Sequence, residues 1–179
     1  MGRIAVHEFM TLDGVVETPS WTADYGFAPE MGAAIGGVMG ASSALLMGRR
    51  TYEMFAPSWS QRTAAEDPGA PFMNESPKYV VSGSLQDPSW NNSTSIGAYD
   101  AGAIRSLKER ESGLYVSGSV QLVRAMLANG LVDELHLFVY PLVLGGGLRL
   151  FEDSEEPVRL KLAGSESYEN GVAHLTYEG

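Results

Sequence analysis

The chain has no cysteine among its 179 residues. That excludes disulfides, thiolate nucleophiles, iron–sulfur clusters and every cysteine-based zinc site. Histidine is scarce. His7, His136 and His174 lie far apart, and His7-Glu8 lacks the second histidine of an H-E-x-x-H motif, so no metal site is expected. Basic residues are also few: twelve Lys and Arg against twenty-two Asp and Glu leave a net charge of −10. Such a surface repels phosphate backbones, which argues against broad nucleic-acid binding. Long apolar runs are missing too. The richest stretch, Ile35 to Met47, is broken by Gly36, Gly37, Gly40, Ser42 and Ser43, short of the ~18 uninterrupted residues of a membrane span. The N-terminal segment carries Glu8 where a signal peptide would be apolar. These absences give the expectation of a soluble, cytoplasmic protein with no membrane partner.

What is present reads as ordinary globular protein: 44% hydrophobic and 19% charged residues. The length favours a single domain over residues 1–179. Strand-like and helix-like runs alternate. Ile4 to Thr11 reads as a strand entering the turn Asp13-Gly14, and Pro29 opens a helix. Ala44 to Met47 is a short buried strand ending in Gly48, after which Thr51 can cap a helix. Residues Ala56 to Pro77, rich in Pro, Ser, Ala and Asp, read as a long surface loop. Strands follow at Lys78 to Ser82 and Leu114 to Val116, with Asp100 capping the helix between them. A helix with Val120, Val123 and Leu127 on one face stops at Gly130, and Glu134 to Leu144 is the longest strand. The runs Arg159 to Tyr168 and Val172 to Glu178, separated by Asn170-Gly171, make a C-terminal hairpin. The fold class is therefore α/β: three layers, α/β/α, around a mixed, mostly parallel sheet ending in a β-hairpin.

Three strand ends can carry chemistry, because ligands of open α/β sheets bind beyond the carboxyl ends of strands. Gly48-Arg49-Arg50-Thr51 sets two cations at a helix start in an acidic chain, where they oppose the helix dipole unless an anion binds. Ser82-Gly83-Ser84 can donate to a phosphate or simply form a turn. Ser117-Gly118-Ser119 precedes a helix: Ser119 is either a plain N-cap or part of a pyrophosphate cradle, where Gly118 permits close approach. No G-x-x-x-x-G-K-[ST] or G-x-S-x-G occurs, and Gly145-Gly146-Gly147 lacks the spacing and the helix of a dinucleotide fingerprint.

Read in order, several segments resemble one family. They are Thr11-Leu12-Asp13-Gly14, Leu46 to Glu53, Lys78 to Ser82, Val116 to Ser119, Gly130 to Leu135, and Pro141 to Gly147 closing at Leu150-Phe151. Together they resemble the dihydrofolate-reductase-like superfamily, and within it the C-terminal reductase domain of the bifunctional riboflavin-biosynthesis deaminase/reductase. The resemblance implies that fold and an NADPH-dependent reductase. Gly48, Arg49, Arg50 and Thr51 would hold the adenosine 2′-phosphate and pyrophosphate, with Ser82 and Ser84 completing the 2′-phosphate pocket. Ser117, Gly118, Ser119 and Gln121 would carry the phosphates and the nicotinamide-side ribose. This chain departs from the riboflavin reductases in having Val15 where they carry lysine, and no Asp-Asp-Pro follows Thr51. Without cysteine the zinc deaminase is absent, which makes the chain a standalone relative.

The expected reaction is hydride transfer to a small heterocycle or carbonyl. Trp21, Tyr25, Phe27 and Trp59 are the expected pocket walls, and Asp13 or Glu30 the expected catalytic proton relay. Two other readings stay open: a non-catalytic dimeric nucleotide-binding module and a divergent dihydrofolate reductase. A homodimer is expected because Leu135, Leu137, Val139 and Leu142, with the apolar tail strands beyond them, offer more apolar strand than one helix layer covers.

Overall fold

The structure, a computed structural model, describes residues 2–152 and 157–179. Its strands are β1 Arg3–Thr11, β2 Ala44–Gly48, β3 Lys78–Val81, β4 Ser93–Ser95, β5 Gly113–Ser117, β6 Glu134–Tyr140, β7 Lys161–Ser167 and β8 Ala173–Glu178. They form one sheet in the order β4-β3-β2-β5-β1-β6-β8-β7. The first six are mutually parallel, while β6–β8 and β8–β7 are antiparallel. The carboxyl ends of β1, β2, β3 and β5 therefore share one edge of the sheet.

Strand alternation divides the core. Ile4 and Val6 of β1, Ala44 and Leu46 of β2, and Leu114 and Val116 of β5 face one side. There they pack on α4 (Ala101–Arg110) and α5 (Val120–Ala128) through Ile104, Leu107, Val123 and Met126. Ala5, Leu45, Met47 and Tyr115 face the other side. They meet α1 (Pro29–Gly40), α2 (Arg49–Trp59) and α3 (Ala70–Glu75) through Val38, Tyr52 and Met73. Both strand faces are covered, which is why the parallel strands read as unbroken apolar runs. This is the α/β fold with helices on both faces of a mixed sheet.

Local signals set several boundaries. Asp100 Oδ1 accepts the Ala103 N–H at 2.7 Å and caps α4. Gly171 turns the β7–β8 hairpin at φ +85°, a conformation open to glycine. Asp133 clamps distant segments: it accepts the Ile4 N–H at 2.7 Å and pairs with the largely buried Lys108 at 2.6 Å.

Three boundary expectations are corrected. The segment 56–77 is not one loop, because α2 continues to Trp59 and α3 forms within it. Asn74 organises it, donating to the Trp59 and Arg62 carbonyls at 2.9 and 3.2 Å and accepting from the Trp90 indole N–H at 2.8 Å. These partners are distant in sequence. The helix after β2 starts at Arg49 with Gly48 in the cap position, so Thr51 is a first-turn residue rather than a cap. Strand β6 stops at Tyr140, since Pro141 has no N–H to continue the ladder. The polar Ser93–Ser95 strand exists only through its pairing with β3.

Candidate functional site

Parallel strands that end together leave the helices following them with free N–H groups at one edge. Here α2 starts directly after β2 and α5 after β5, and neither helix has a side-chain cap. The two starts are joined. Ser119 Oγ accepts the Gly48 N–H at 2.8 Å and donates to Thr51 Oγ1 at 2.7 Å. Ser119 thus occupies the cap position without capping its own helix; it fixes the spacing of two helix N-termini instead. Gly118 and Ser119 are both left-handed, at φ +66° and +69°.

A cavity of about 710 Å³ opens above this edge, well within the range of ligand sites. All ten residues of the expected nucleotide set border it: Gly48, Arg49, Arg50, Thr51, Ser82, Ser84, Ser117, Gly118, Ser119 and Gln121. At the β3 end, Ser82 Oγ accepts the N–H groups of Ser84 and Leu85 at 3.2 and 3.0 Å, so this junction is a serine turn that also faces the cavity. At the β2 end, Arg49 is paired with Glu53 at 2.9 Å, while Arg50 has no ion pair among the described residues. Two uncapped helix N-termini, an arginine pair and a glycine with an open face suit a ligand carrying several phosphates.

The end of the cavity over β1 is bordered by the apolar Phe9, Val16, Leu122 and Leu148 and by the polar His7, Glu8, Glu17 and Thr18. One polar side chain there was missed from the sequence. Glu8 is only 4% exposed and borders the cavity, and its Oε1 has no hydrogen-bond partner. Burial pushes its carboxyl up to about 8. The available signal was a carboxylate inside the apolar run Ile4 to Phe9 of a strand whose pattern makes it central. His7 also borders the cavity: its Nδ1 bonds the Tyr115 hydroxyl at 2.9 Å, its Nε2 is buried with no partner among the described residues, and burial lowers its imidazole to about 3.

Six expected site residues lie away from this cavity. Asp13 accepts the Thr11 hydroxyl at 2.6 Å and the N–H groups of Leu144 and Gly145 at 3.2 and 2.8 Å. The Thr11 hydroxyl, then the Gly145 N–H, hold its carboxyl down at about 2. In these contacts Asp13 latches the 144–145 loop, away from the large cavity. Glu30 is exposed on α1 and borders a different, smaller cavity with Ala33, Ala34, Glu166 and His174. Trp21 and Tyr25 lie in a 3-10 helix, Pro19–Tyr25, and pack edge-on against Tyr140 at 5.1 and 5.5 Å. Phe27 is exposed, and Trp59 carries the Arg62 guanidinium 4.5 Å over its ring. These aromatics were expected as pocket walls, but the chain after β1 folds Trp21 and Tyr25 across the α1 side of the sheet. The large cavity opens at the carboxyl edge of the sheet, bordered by the first turns of α2 and α5.

Among the described residues no group of three His, Asp or Glu could hold a metal ion, and no helix is long and apolar enough to cross a membrane.

Comparison with known proteins agrees with this architecture. YyaP, an uncharacterized protein of Bacillus subtilis (strain 168), is 27% identical over 183 residues, covering 98% of this chain and 94% of its own. YwjB of the same organism is 26% identical over 129 residues, 72% of this chain and 69% of its own. A crystal structure from Shewanella sp. PV-4 with a provisional riboflavin-biosynthesis name superposes with a TM-score of 0.80. It is 20% identical and covers 99% of this chain and 98% of that one. A pyrimidine reductase-like protein from Corynebacterium diphtheriae gives a TM-score of 0.67 at 14% identity, covering 99% and 91%. The Thermotoga maritima diaminohydroxyphosphoribosylaminopyrimidine deaminase/5-amino-6-(5-phosphoribosylamino)uracil reductase gives 0.66 at 16% identity, covering 99% of this chain and 56% of that one. Residues 3–174 match the family model of the RibD C-terminal domain, and the chain belongs to that family.

Proposed function

We propose that this chain is a single-domain, cytoplasmic NADPH-dependent reductase acting on a small planar heterocycle or carbonyl compound, of the kind named for the Thermotoga maritima protein. The observation that carries the reading is the meeting of three strand ends at one cavity, with two uncapped helix N-termini and two arginines on its border. In this reading Ser82, Ser84, Arg49 and Arg50 hold the adenosine 2′-phosphate. Thr51, Ser117, Gly118 and Ser119 receive the pyrophosphate, and Gln121 the second ribose. Bound NADPH would supply hydride, and the apolar residues at the β1 end of the cavity would keep water from the reacting carbon.

Arginine recognition of the 2′-phosphate should show as cofactor preference. Arg50→Ala is expected to weaken NADPH at least about tenfold while leaving NADH nearly unchanged, since a charge-assisted hydrogen bond contributes roughly 1.5–3 kcal/mol. Arg49→Ala should do less, because Glu53 already offsets its charge. Equal losses for both cofactors in binding titrations would exclude these arginines as readers of the phosphate. Steady NADPH oxidation with a ribosylaminopyrimidine separates the enzyme from a non-catalytic nucleotide-binding module.

The same reading includes a homodimer, supported by the exposed apolar residues between β6 and the C-terminal hairpin and on the hairpin itself. Leu135 and Leu137 are already buried beneath α5, whereas Val143, Leu144, Phe151, Val158 and Leu162 are large, apolar and exposed. A two-fold contact would cover them. Sedimentation should give twice the 19.2 kDa chain mass; a monomer at micromolar concentration would rule the dimer out.

A further inference from the structure

The fold has no use for Glu8. It stands in the middle of a central strand, on the face that carries Ile4 and Val6 into the core, and among the described residues no cation is paired with it. The ionisable groups on the surrounding elements have other partners. On α5, Arg124 donates to the Leu150 carbonyl at 3.0 Å and pairs with Glu152. On β5, the Tyr115 hydroxyl bonds His7, and on β6, His136 Nδ1 meets His174 at 3.1 Å. In the loop after β1, Glu17 accepts the Leu148 N–H at 3.2 Å. The side chain of Glu8 borders the β1 end of the cavity with one oxygen buried and unsatisfied. Beside it, His7 Nε2 is likewise buried without a partner among the described residues, but burial holds that imidazole neutral. Of the two it is Glu8 that has a proton to donate as an acid. Buried polar atoms without partners are rare, and one bordering a cavity points to a ligand atom that completes it.

Resting on the cofactor reading above, we propose that Glu8 is the acid of the reaction, donating a proton to the substrate beside the nicotinamide. The anion-binding features lie at the β2, β3 and β5 ends of the cavity, so a dinucleotide anchored there extends its uncharged end toward β1. A carboxyl that burial keeps protonated has one O–H to give. Its partner must be an acceptor: the nitrogen of a C=N group or the oxygen of a C=O group in a flat, uncharged part of the substrate. When hydride from the nicotinamide reaches the carbon of that group, the Glu8 O–H bond breaks and a new N–H or O–H bond forms on the substrate. The two electrons come from the reduced cofactor, which leaves oxidised, and solvent at the cavity mouth restores the proton to Glu8. A permanently anionic group on the substrate at this end is disfavoured, since the arginines that border the cavity, Arg49 and Arg50, stand at its β2 end.

The proposal can be tested without knowing the substrate. The oxidised nicotinamide is cationic and favours ionised Glu8, whereas the reduced ring is neutral and favours the protonated acid. Dissociation constants of NADP+ and NADPH should be measured by tryptophan quenching between about pH 6 and about pH 9.5, a window that spans the titration of Glu8. The 2′-phosphate titrates alike in both cofactors and cancels in their ratio. In the wild-type protein the affinity of NADP+ relative to NADPH should rise about tenfold with pH, and in Glu8→Gln the ratio should be flat. Calorimetry in two buffers of different ionisation enthalpy should show more proton release on NADP+ binding near neutral pH by the wild type than by Glu8→Gln, the 2′-phosphate contributing equally to both. A flat ratio in the wild-type protein, with both cofactors bound, overturns the assignment of Glu8 and leaves the cofactor reading standing; this needs no variant to fold. A pH-dependent ratio that persists in folded Glu8→Gln overturns it too. Absence of NADPH binding at every pH overturns the cofactor reading and this proposal with it.

Discussion

Replacing Gly118 with valine is expected to abolish NADPH binding in a protein that still folds. Gly118 sits at φ +66° between β5 and α5, and a Cβ added there would meet Thr51 Oγ1 at 3.6 Å and Thr51 Cγ2 at 3.9 Å. Those are ordinary contacts, so the chain itself has room for the atom. Two costs remain. A branched residue in the left-handed region loses roughly 1–2 kcal/mol of fold stability. The larger effect is on the ligand, because the added methyl groups stand where phosphate oxygens must approach the N–H groups of the α5 start. An affinity loss of at least about a hundredfold, near 2.7 kcal/mol, is expected. Gly118→Ala should fall in between. Ser119→Ala supplies the stability control: it removes the acceptor of the Gly48 N–H and the donor to Thr51, which should lower stability by ~1 kcal/mol. Thermal unfolding without ligand and cofactor titration of the folded fraction separate the two effects. Unchanged affinity in folded Gly118→Val would remove the pyrophosphate from this junction.

Glu8→Gln should change how stability depends on pH. Burial raises the folded-state carboxyl from 4.5 to about 8, so between these values the folded protein holds a proton that the unfolded chain releases. The stability this group contributes is complete below about pH 4.5, falls as pH rises toward 8, and is constant above. The difference in unfolding free energy between Glu8→Gln and wild type should therefore shift by about 4 kcal/mol in favour of the glutamine variant between pH 4.5 and 8. His7 works in the opposite sense. Its folded-state imidazole is lowered from 6.5 to about 3, chiefly by burial, so its contribution is present above 6.5 and is lost as pH falls toward 3. The two effects oppose each other between 4.5 and 6.5. The clearest decline of the wild-type protein should thus appear between 6.5 and 8, where Glu8 acts alone of the two. Urea titrations at several pH values, each with both proteins, measure it. Parallel curves would mean that Glu8 stays ionised inside the fold.

The apolar runs of β1, β2 and β5 determine by themselves that these strands are covered on both faces, and that composition demands helices on each side. The turn at Asn170-Gly171 and the Asp100 cap are equally local, since a glycine at positive φ and a side-chain oxygen three residues before its N–H act within one short segment. The strand-end motifs at Gly48, Ser82 and Ser117 were legible for the same reason: parallel strands with helical crossovers bring their carboxyl ends to one edge. Other features needed partners far away in the chain. Helix α3 depends on Asn74 bonding to Trp59, Arg62 and Trp90, and β4 on the ladder offered by β3. Asp13 looked like an acid available for catalysis because its sequence neighbours say nothing of residues 144 and 145, which turn it into a latch. Trp21 and Tyr25 read as pocket walls from the sequence, whereas the path of the 3-10 helix sets them against Tyr140, away from the large cavity. Glu8 shows the division most clearly. Sequence determined that a carboxylate sits within an apolar strand; tertiary structure alone decided that it is buried, unpartnered and at the edge of a cavity, because solvation depends on everything packed around a residue and not on its neighbours in the chain.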